Sequence, residues 1–146
     1  YKSISTPLEK NVKLTKIVRS LIYLMITRPD LSYPVGMISQ FMSQPKAETF
    51  SVRKDIAQVI DTKDRALLYR GGLAENLVGY TDADWAGNAD DRRSTSEFVF
   101  SLGSAAITWS SKKQSTVALS SMEAEYGGVV VATCEVIWLK RLLKDL

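Results

Sequence analysis

In "PDLSYPVGMISQFMSQP" the apolar residues Leu31, Val35, Ile38 and Met42 recur four, three and four apart. That spacing marks one face of a helix. Pro34 does not contradict it, because proline is tolerated in a first helical turn, and Pro45 stops it. The preceding run, "IVRSLIYLMIT", is too evenly apolar for periodicity to separate helix from buried strand. "TRPD" (27–30) breaks that run. In "KAETFSVRKDIAQVIDTKD", Phe50, Ile56, Val59 and Ile60 suggest another helix. The paired glycines of "YRGG" (69–72) punctuate the chain. They divide it into a mainly helical segment, 1–72, and a second region, 73–146.

Beyond the glycines the period shortens. "NLVGYTDADWAG", "SEFVFSLGS" and "AAITWSSKKQ" alternate and are rich in β-formers, and "GS" (103–104) is a tight hairpin turn. "SSMEAEYGGVVVATCEVIWLKRLLKDL" then reads as one long helix. Ser120 with Glu123 three residues on is a capping box. Tyr126, Val129, Thr133, Val136, Ile137 and Leu143 fall on or near one face. Lys140, Arg141 and Lys144 suit the negative end of the helix dipole. Gly127 and Gly128 each disfavour a helix by about 1 kcal/mol against alanine. Either they permit close approach to a sheet or they mark decay. The expected order is β-β-β-α, with the strands as an antiparallel meander.

The chain has 146 residues, 45% hydrophobic and 24% charged, as expected of a folded globular domain. No apolar run approaches a membrane span of about 18 residues, and the polar start, "YKSISTPLEKN", is unlike a signal peptide. It lacks an initiator Met, which suggests an excerpt or a processed piece. The absence of histidine excludes Ser-His and Cys-His relays. The single cysteine, Cys134, excludes an internal disulfide or a cysteine zinc cluster, and reads as a small core hydrophobe. These features suit a reducing, intracellular location, cytoplasmic or nuclear. Charge is uneven. Residues 1–72 hold twelve basic and six acidic groups, net +6, and residues 73–146 hold seven and ten, net −3, which sum to the chain's +3. A basic platform beside an acidic metal site would give this pattern, and so would chance.

The candidate chemistry lies in "GYTDADWAGNADD". Positions i and i+2 of a strand share a face, so Asp82 and Asp84 should project together. Glu125 falls in the first turn or so of the following helix. Carboxylates gathered this way need a cation, and oxygen donors suit magnesium or manganese. The plainer alternative is a strand ending in solvent and an acid favouring a helix start. Lys112 and Lys113 in "SSKKQ" suit either phosphate contact or a solvated loop. Arg92 and Arg93 suit either phosphate or local pairing with Asp90 and Asp91, the latter favoured. Trp85, Trp109 and Trp138 read as packing residues, with base stacking open to an exposed one.

The stretch "GYTDADWAGNADDRRSTSEFVFSLGSAAITWSSKKQSTVALSSMEAEY" resembles the ribonuclease H region of copia-type retrotransposon polyproteins. "STPLEKNVKL", "LIYLMITRPDLSYPVGMISQFMSQP" and "LLYR" resemble the stretch joining polymerase to ribonuclease H in the same elements. The resemblance covers nearly the whole chain. It implies an α/β ribonuclease H-like fold, of which this chain would hold the three-stranded meander and first helix (α+β as truncated). It also implies two magnesium ions, held by carboxylates, cutting the RNA of an RNA–DNA hybrid. Carried over by motif, Asp82 in "YTDA" and Glu125 in "AEY" are the catalytic and metal-binding acids. Asp84 is a neighbouring candidate ligand, and Glu123 a cap.

The family pattern supplies a further aspartate from a fourth strand, in an Asp-Asn motif, and another acid later still. Neither is in these 146 residues, and two carboxylates do not readily organise two ions about 4 Å apart. The strand carrying Asp82 should therefore expose an edge near residues 77–85, open to self-association. The family's glycine after "RRSTS" is Glu97 here, at a site read as turn-like. The expected function is a fragment of a reverse transcriptase/ribonuclease H, inactive alone and binding Mg2+ or Mn2+ weakly if at all. The alternatives are a retained nucleic-acid- or protein-binding module, and a relic without activity.

Overall fold

The computed structural model describes residues 18–40, 66–71 and 76–146. The chain divides into two compact units, Tyr1–Ala66 and Leu67–Leu146. Within the first, residues 18–24 are helical (α1), a 3-10 turn spans Pro29–Leu31, and α2 spans Ser32–Gln40. The apolar run that periodicity left open is thus helical over 18–24 and a turn over 25–27. Val18, Leu21, Leu31, Val35 and Ile38 form one buried cluster, with Met25 against it. Three of the four residues of the expected face are therefore core. The fourth, Met42, and the segment from Lys46 to Asp64 lie outside the described residues. Pro34 is the third residue of α2, where its missing N–H costs no helical bond. Arg28 and Asp30 brace the 3-10 turn with two hydrogen bonds, of 2.9 and 2.7 Å.

The second unit is the meander and its helix. Strands β1 (Leu77–Ala83), β2 (Thr95–Leu102) and β3 (Ala105–Lys113) form an antiparallel sheet in the order β1-β2-β3, and α3 spans Ser121–Asp145. Gly103 turns the β2–β3 hairpin with φ 59°, a left-handed conformation that suits glycine. The segment before β1 also belongs here. Tyr69 donates its hydroxyl proton to the Ala106 carbonyl at 2.7 Å, and Ser104 Oγ accepts from the Arg70 N–H and donates to the Leu68 carbonyl.

One face of the sheet carries α3. Phe100 is buried with Ala132 and Leu139, and Phe98 packs beside them, its ring centroid 5.6 Å from that of Phe100. Gly79 lies opposite Phe100, and a Cβ there would collide with the Phe100 ring. The residues of α3 turned to the sheet are small. Ala124, Gly128, Ala132 and Leu139 are buried, whereas Tyr126, Val129, Thr133 and Ile137 are exposed. The face expected from bulk is therefore turned aside by roughly a third of a turn. The reason is proximity. A Cβ on Gly128 would stand 3.4 Å from Thr81 Oγ1 and 3.5 Å from the Asp82 carbonyl, and one on Gly127 would press against the Gln114 amide. Gly128 thus lies in contact with β1 and Gly127 against the Gln114 side chain, so both glycines sit where the helix approaches the sheet. Cys134, expected in the core, is exposed because it lies on the far side of this helix. No helix among the described residues is long and apolar enough to cross a membrane.

Candidate carboxylate site and its basic surroundings

Asp82 and Glu125 sit on two elements that touch. Ala83, Ala118 and Ala124 form a small buried cluster where the start of α3 crosses the end of β1. Gln114 locks the crossing. Its Nε2 donates to Ser96 Oγ at 2.7 Å and to the Ala124 carbonyl at 2.8 Å, and its N–H donates to the Ser94 carbonyl. The start of α3 is held by the expected cap. Ser120 Oγ accepts the Glu123 N–H at 3.2 Å, and Glu123 Oε2 accepts the Leu119 N–H at 2.7 Å. Glu125 is left exposed in the first turns of the helix.

The backbones meet, but the Asp82 side chain leaves the other way. Thr81 and Ala83 face α3, so alternation sends Asp82 to the opposite face of the sheet. There it lies across from Glu97 in the β1–β2 register. Asp82 Oδ1 accepts the N–H of Ala83 at 2.9 Å. Glu97 is a mid-strand residue rather than part of a turn, and its Oε1 accepts the Ser111 hydroxyl proton at 2.7 Å. Asp84 lies just beyond β1, where its N–H donates to the Thr95 carbonyl and its Oδ1 accepts the Thr95 N–H. Gly87 makes room for that carboxylate. Asp84 thus continues the β1–β2 ladder, and its carboxylate is engaged by the Thr95 N–H rather than standing free beside Asp82.

The rest of the acidic stretch builds a turn. Asn88 is buried, and its Oδ1 accepts the N–H groups of Asp90 and Asp91 at 3.0 and 3.2 Å. Ser94 Oγ accepts the Ala86 N–H. Ala86 and Arg92 have φ of 53° and 57°, left-handed values that the surrounding bonds hold in place. Asp91 takes Lys113 at 2.7 Å and Arg93 at 3.7 Å. The hydrogen bond from Lys113, aided by the Arg93 N–H and both positive charges, holds the Asp91 carboxyl below its ordinary range.

The four basic candidates therefore divide. Lys113 and Arg93 are engaged with Asp91, whereas Lys112 and Arg92 have exposed side chains. Trp85 and Trp138 are 53% and 55% exposed, not packed inside, although the Trp85 indole N–H donates to the Ala118 carbonyl at 3.1 Å. Sequence reasoning missed Gln114 and Asn88. "GNADD" held an Asx-turn signal for Asn88, but nothing local announced Gln114, whose partners come from two other elements.

The donor set was tested against the metal centre that the resemblance implies. Among the described residues, no three acidic or cysteine side chains gather as a metal-holding group. Asp84 is engaged by Thr95, and Asp82 points away from the face that bears α3. As arranged, Asp82, Asp84 and Glu125 do not fit a two-ion centre, and no step is derived through one.

An antiparallel meander backed by a helix that crosses the end of its first strand makes residues 67–146 a small mixed α and β unit. The relatives say which kind. The chain is 44% identical over 132 residues to "Secreted RxLR effector protein 161" of Plasmopara viticola, covering 89% of this chain and 93% of that one. It is 39% identical over 160 residues to the "Retrovirus-related Pol polyprotein from transposon RE2" of Arabidopsis thaliana. It is 38% identical over 166 residues to the corresponding polyprotein of transposon TNT 1-94 of Nicotiana tabacum. These two alignments cover 99% of this chain but 11% and 12% of the polyproteins. The chain belongs to the copia-type retrotransposon Pol family and corresponds to a short stretch of the polyproteins. No family model and no solved structure matches it.

Proposed function

We infer that residues 67–146 are the opening β-β-β-α part of a ribonuclease H-like domain, carrying its first two acids, Asp82 and Glu125. One observation carries this reading. The start of α3 crosses the end of β1 through the Ala83–Ala124 contact, so the two motif acids flank a single junction. On this reading the 146-residue chain does not cut an RNA–DNA hybrid by itself. Its carboxylates, as disposed, do not form a two-ion centre, and further acids must come from outside these residues.

The test is cleavage of a labelled RNA–DNA hybrid with magnesium or manganese, run beside an Asp82→Asn, Glu125→Gln double variant. Both chains are expected to leave the hybrid intact. Metal-dependent cutting by the parent chain that the double variant lacks would overturn the non-cleaving reading.

A second reading is favoured by one comparison. The effector protein matched over 93% of its length is a chain of similar extent with a name of its own. A module of this size, retained for binding rather than cleavage, would use exposed cations such as Lys112 and Arg92. Its hybrid binding would weaken steeply with salt and ignore metal. Binding that does not respond to salt, or that requires magnesium, would remove it.

A further inference from the structure

The turn between β1 and β2 holds one of its own carboxylates as a bound anion would be held. Asp91 Oδ2 lies 2.7 Å from Lys113 Nζ and 3.7 Å from Arg93 Nε, and Asp91 Oδ1 accepts the Arg93 N–H at 3.2 Å. Two positive side chains and one backbone N–H, drawn from the turn and from the end of β3, thus converge on one carboxylate. The same donor set suits a phosphate, whose oxygens take charge-assisted bonds from Lys and Arg and further bonds from backbone N–H groups.

The seat lies at the surface. The side chains of Asp91 and Arg93 are 39% and 43% exposed, and that of Lys113 is 23% exposed. The Asp91 carboxylate can swing out about its own side-chain bonds without opening the core. The donors stay in place when it does, because other bonds hold their backbone. The Arg93 carbonyl accepts the Asn88 N–H, Lys113 pairs with Thr95 in the β2–β3 register, and Asn88 Oδ1 keeps the Asp91 N–H.

The seat also faces the right way. Asp82, Glu97 and Ser111 form one row across the sheet, and Lys113 is two residues beyond Ser111. Lys113 therefore leaves β3 on the face that carries the Asp82 side chain. Arg92 and Lys112, each next in the chain to a member of the seat, are exposed.

We propose that Lys113, Arg93 and the Arg93 N–H form a binding site for one backbone phosphate of a nucleic acid, and that Asp91 fills this site in the free chain and competes with the phosphate. This rests on the nucleic-acid-binding reading above, not on the nuclease reading. Two anions repel strongly at such a distance, so a phosphate takes both cations only when the carboxylate leaves. The contacts that hold the Asp91 carboxyl below its ordinary range also keep it ionised, and so a competitor, at neutral pH. Arg92 and Lys112 draw the nucleic acid in, and Asp91 sets how much Lys113 and Arg93 add.

Fluorescence anisotropy of a labelled RNA–DNA hybrid, titrated with the 146-residue chain in low salt, tests it. Asp91→Asn removes the charge and keeps an oxygen for the Arg93 N–H. It should tighten binding by about three- to fivefold, the size of one exposed ion pair released, and steepen the salt dependence by about one phosphate contact. Lys113→Gln separates competition from net charge. The factor it costs should be about three- to fivefold larger in the Asp91→Asn background than in the parent, whose Lys113 is already engaged. Arg93→Gln in the same two backgrounds gives a second cycle, and circular dichroism matched to the parent shows that folded chains are compared. Equal factors in both backgrounds would mean that Asp91 acts through net charge alone and would overturn the proposal. So would Asp91→Asn that binds no tighter than a parent whose own binding is salt-dependent, an outcome that leaves the binding reading standing. If neither chain binds the hybrid in low salt, the binding reading falls and this site with it.

Discussion

Residues 77–82 and 84–95 lie on either side of Ala83, yet they use polar groups to different extents. In 84–95, side chains serve the backbone. Asp84 holds Thr95, Asn88 holds Asp90 and Asp91, Ser94 holds Ala86, and Asp91 gathers Arg93 and Lys113. Among the described residues, 77–82 make side-chain bonds only through Thr81 and Asp82, to the Glu97 carbonyl and the Ala83 N–H, and β1 pairs with no second strand. The lesson concerns acidic stretches. Two of the four acids in "GYTDADWAGNADD", Asp84 and Asp91, hold the turn with their carboxylates, whereas Asp82 stands exposed on the strand. Two acids two residues apart act as a pair only if both carboxylates are available, and that of Asp84 is taken by the Thr95 N–H.

Removing Asp84 tests the contrast most strongly. Asp84→Ala leaves the Thr95 N–H without its charged acceptor and should lower stability by about 2 kcal/mol. Asp82→Ala should stay within about 0.5 kcal/mol of the parent. Urea unfolding of both variants decides the matter, and equal losses would erase the distinction. Next in size is Gln114→Ala. It deletes two side-chain bonds that tie β2 to the start of α3 and should lower stability by about 1–2 kcal/mol. Amide exchange should quicken at the start of α3, and unchanged protection there would show that the alanine contact alone holds the crossing.

The order of elements was legible because each obeys a local rule. Alternation announced the strands, Gly103 the hairpin and Ser120 the helix start. The facing of α3 was not legible from bulk. Tyr126, Val129 and Ile137 look like a core face, but a helix carrying Ala124, Gly128 and Ala132 gains more by sitting close to the sheet on its small side. The same ambiguity misplaced Cys134. Trp85 and Trp138 were misread because a large aromatic was assumed to pack. Glu97 was read as turn-like although the meander runs through it. For the candidate site, Asp82 and Glu125 were legible only through the motif. Their facing depends on which side of β1 the helix takes, and the motif carries no signal for that side.

A smaller effect comes from Glu97. It stands opposite Asp82 on the open face, and like charges opposed across strands disfavour pairing. Glu97→Gln keeps an acceptor for Ser111 and removes the repulsion, so it should raise stability by about 0.5 kcal/mol. The gain should shrink in high salt, because an exposed pair is screened. A gain independent of salt would mean that repulsion is not its source.

The last effect is a change in the shape of the stability profile. The Asp91 carboxyl is held below its ordinary range by Lys113 first, then by the Arg93 N–H and the two positive charges. A group whose folded pKa is depressed contributes stability above its unfolded pKa and loses it as pH falls through the folded value. Asp91→Asn should therefore lie below the parent at neutral pH and converge on it in acid, starting below about pH 4, where a free aspartate takes up its proton. The pair is at the surface, with 39% of the Asp91 side chain exposed, so salt should narrow the gap at neutral pH. The Asp84 carboxylate serves a backbone N–H instead, and the loss in Asp84→Ala should survive the same salt. If salt narrowed both gaps alike, the turn would be held by surface charge, and the contrast between its two aspartates would fail.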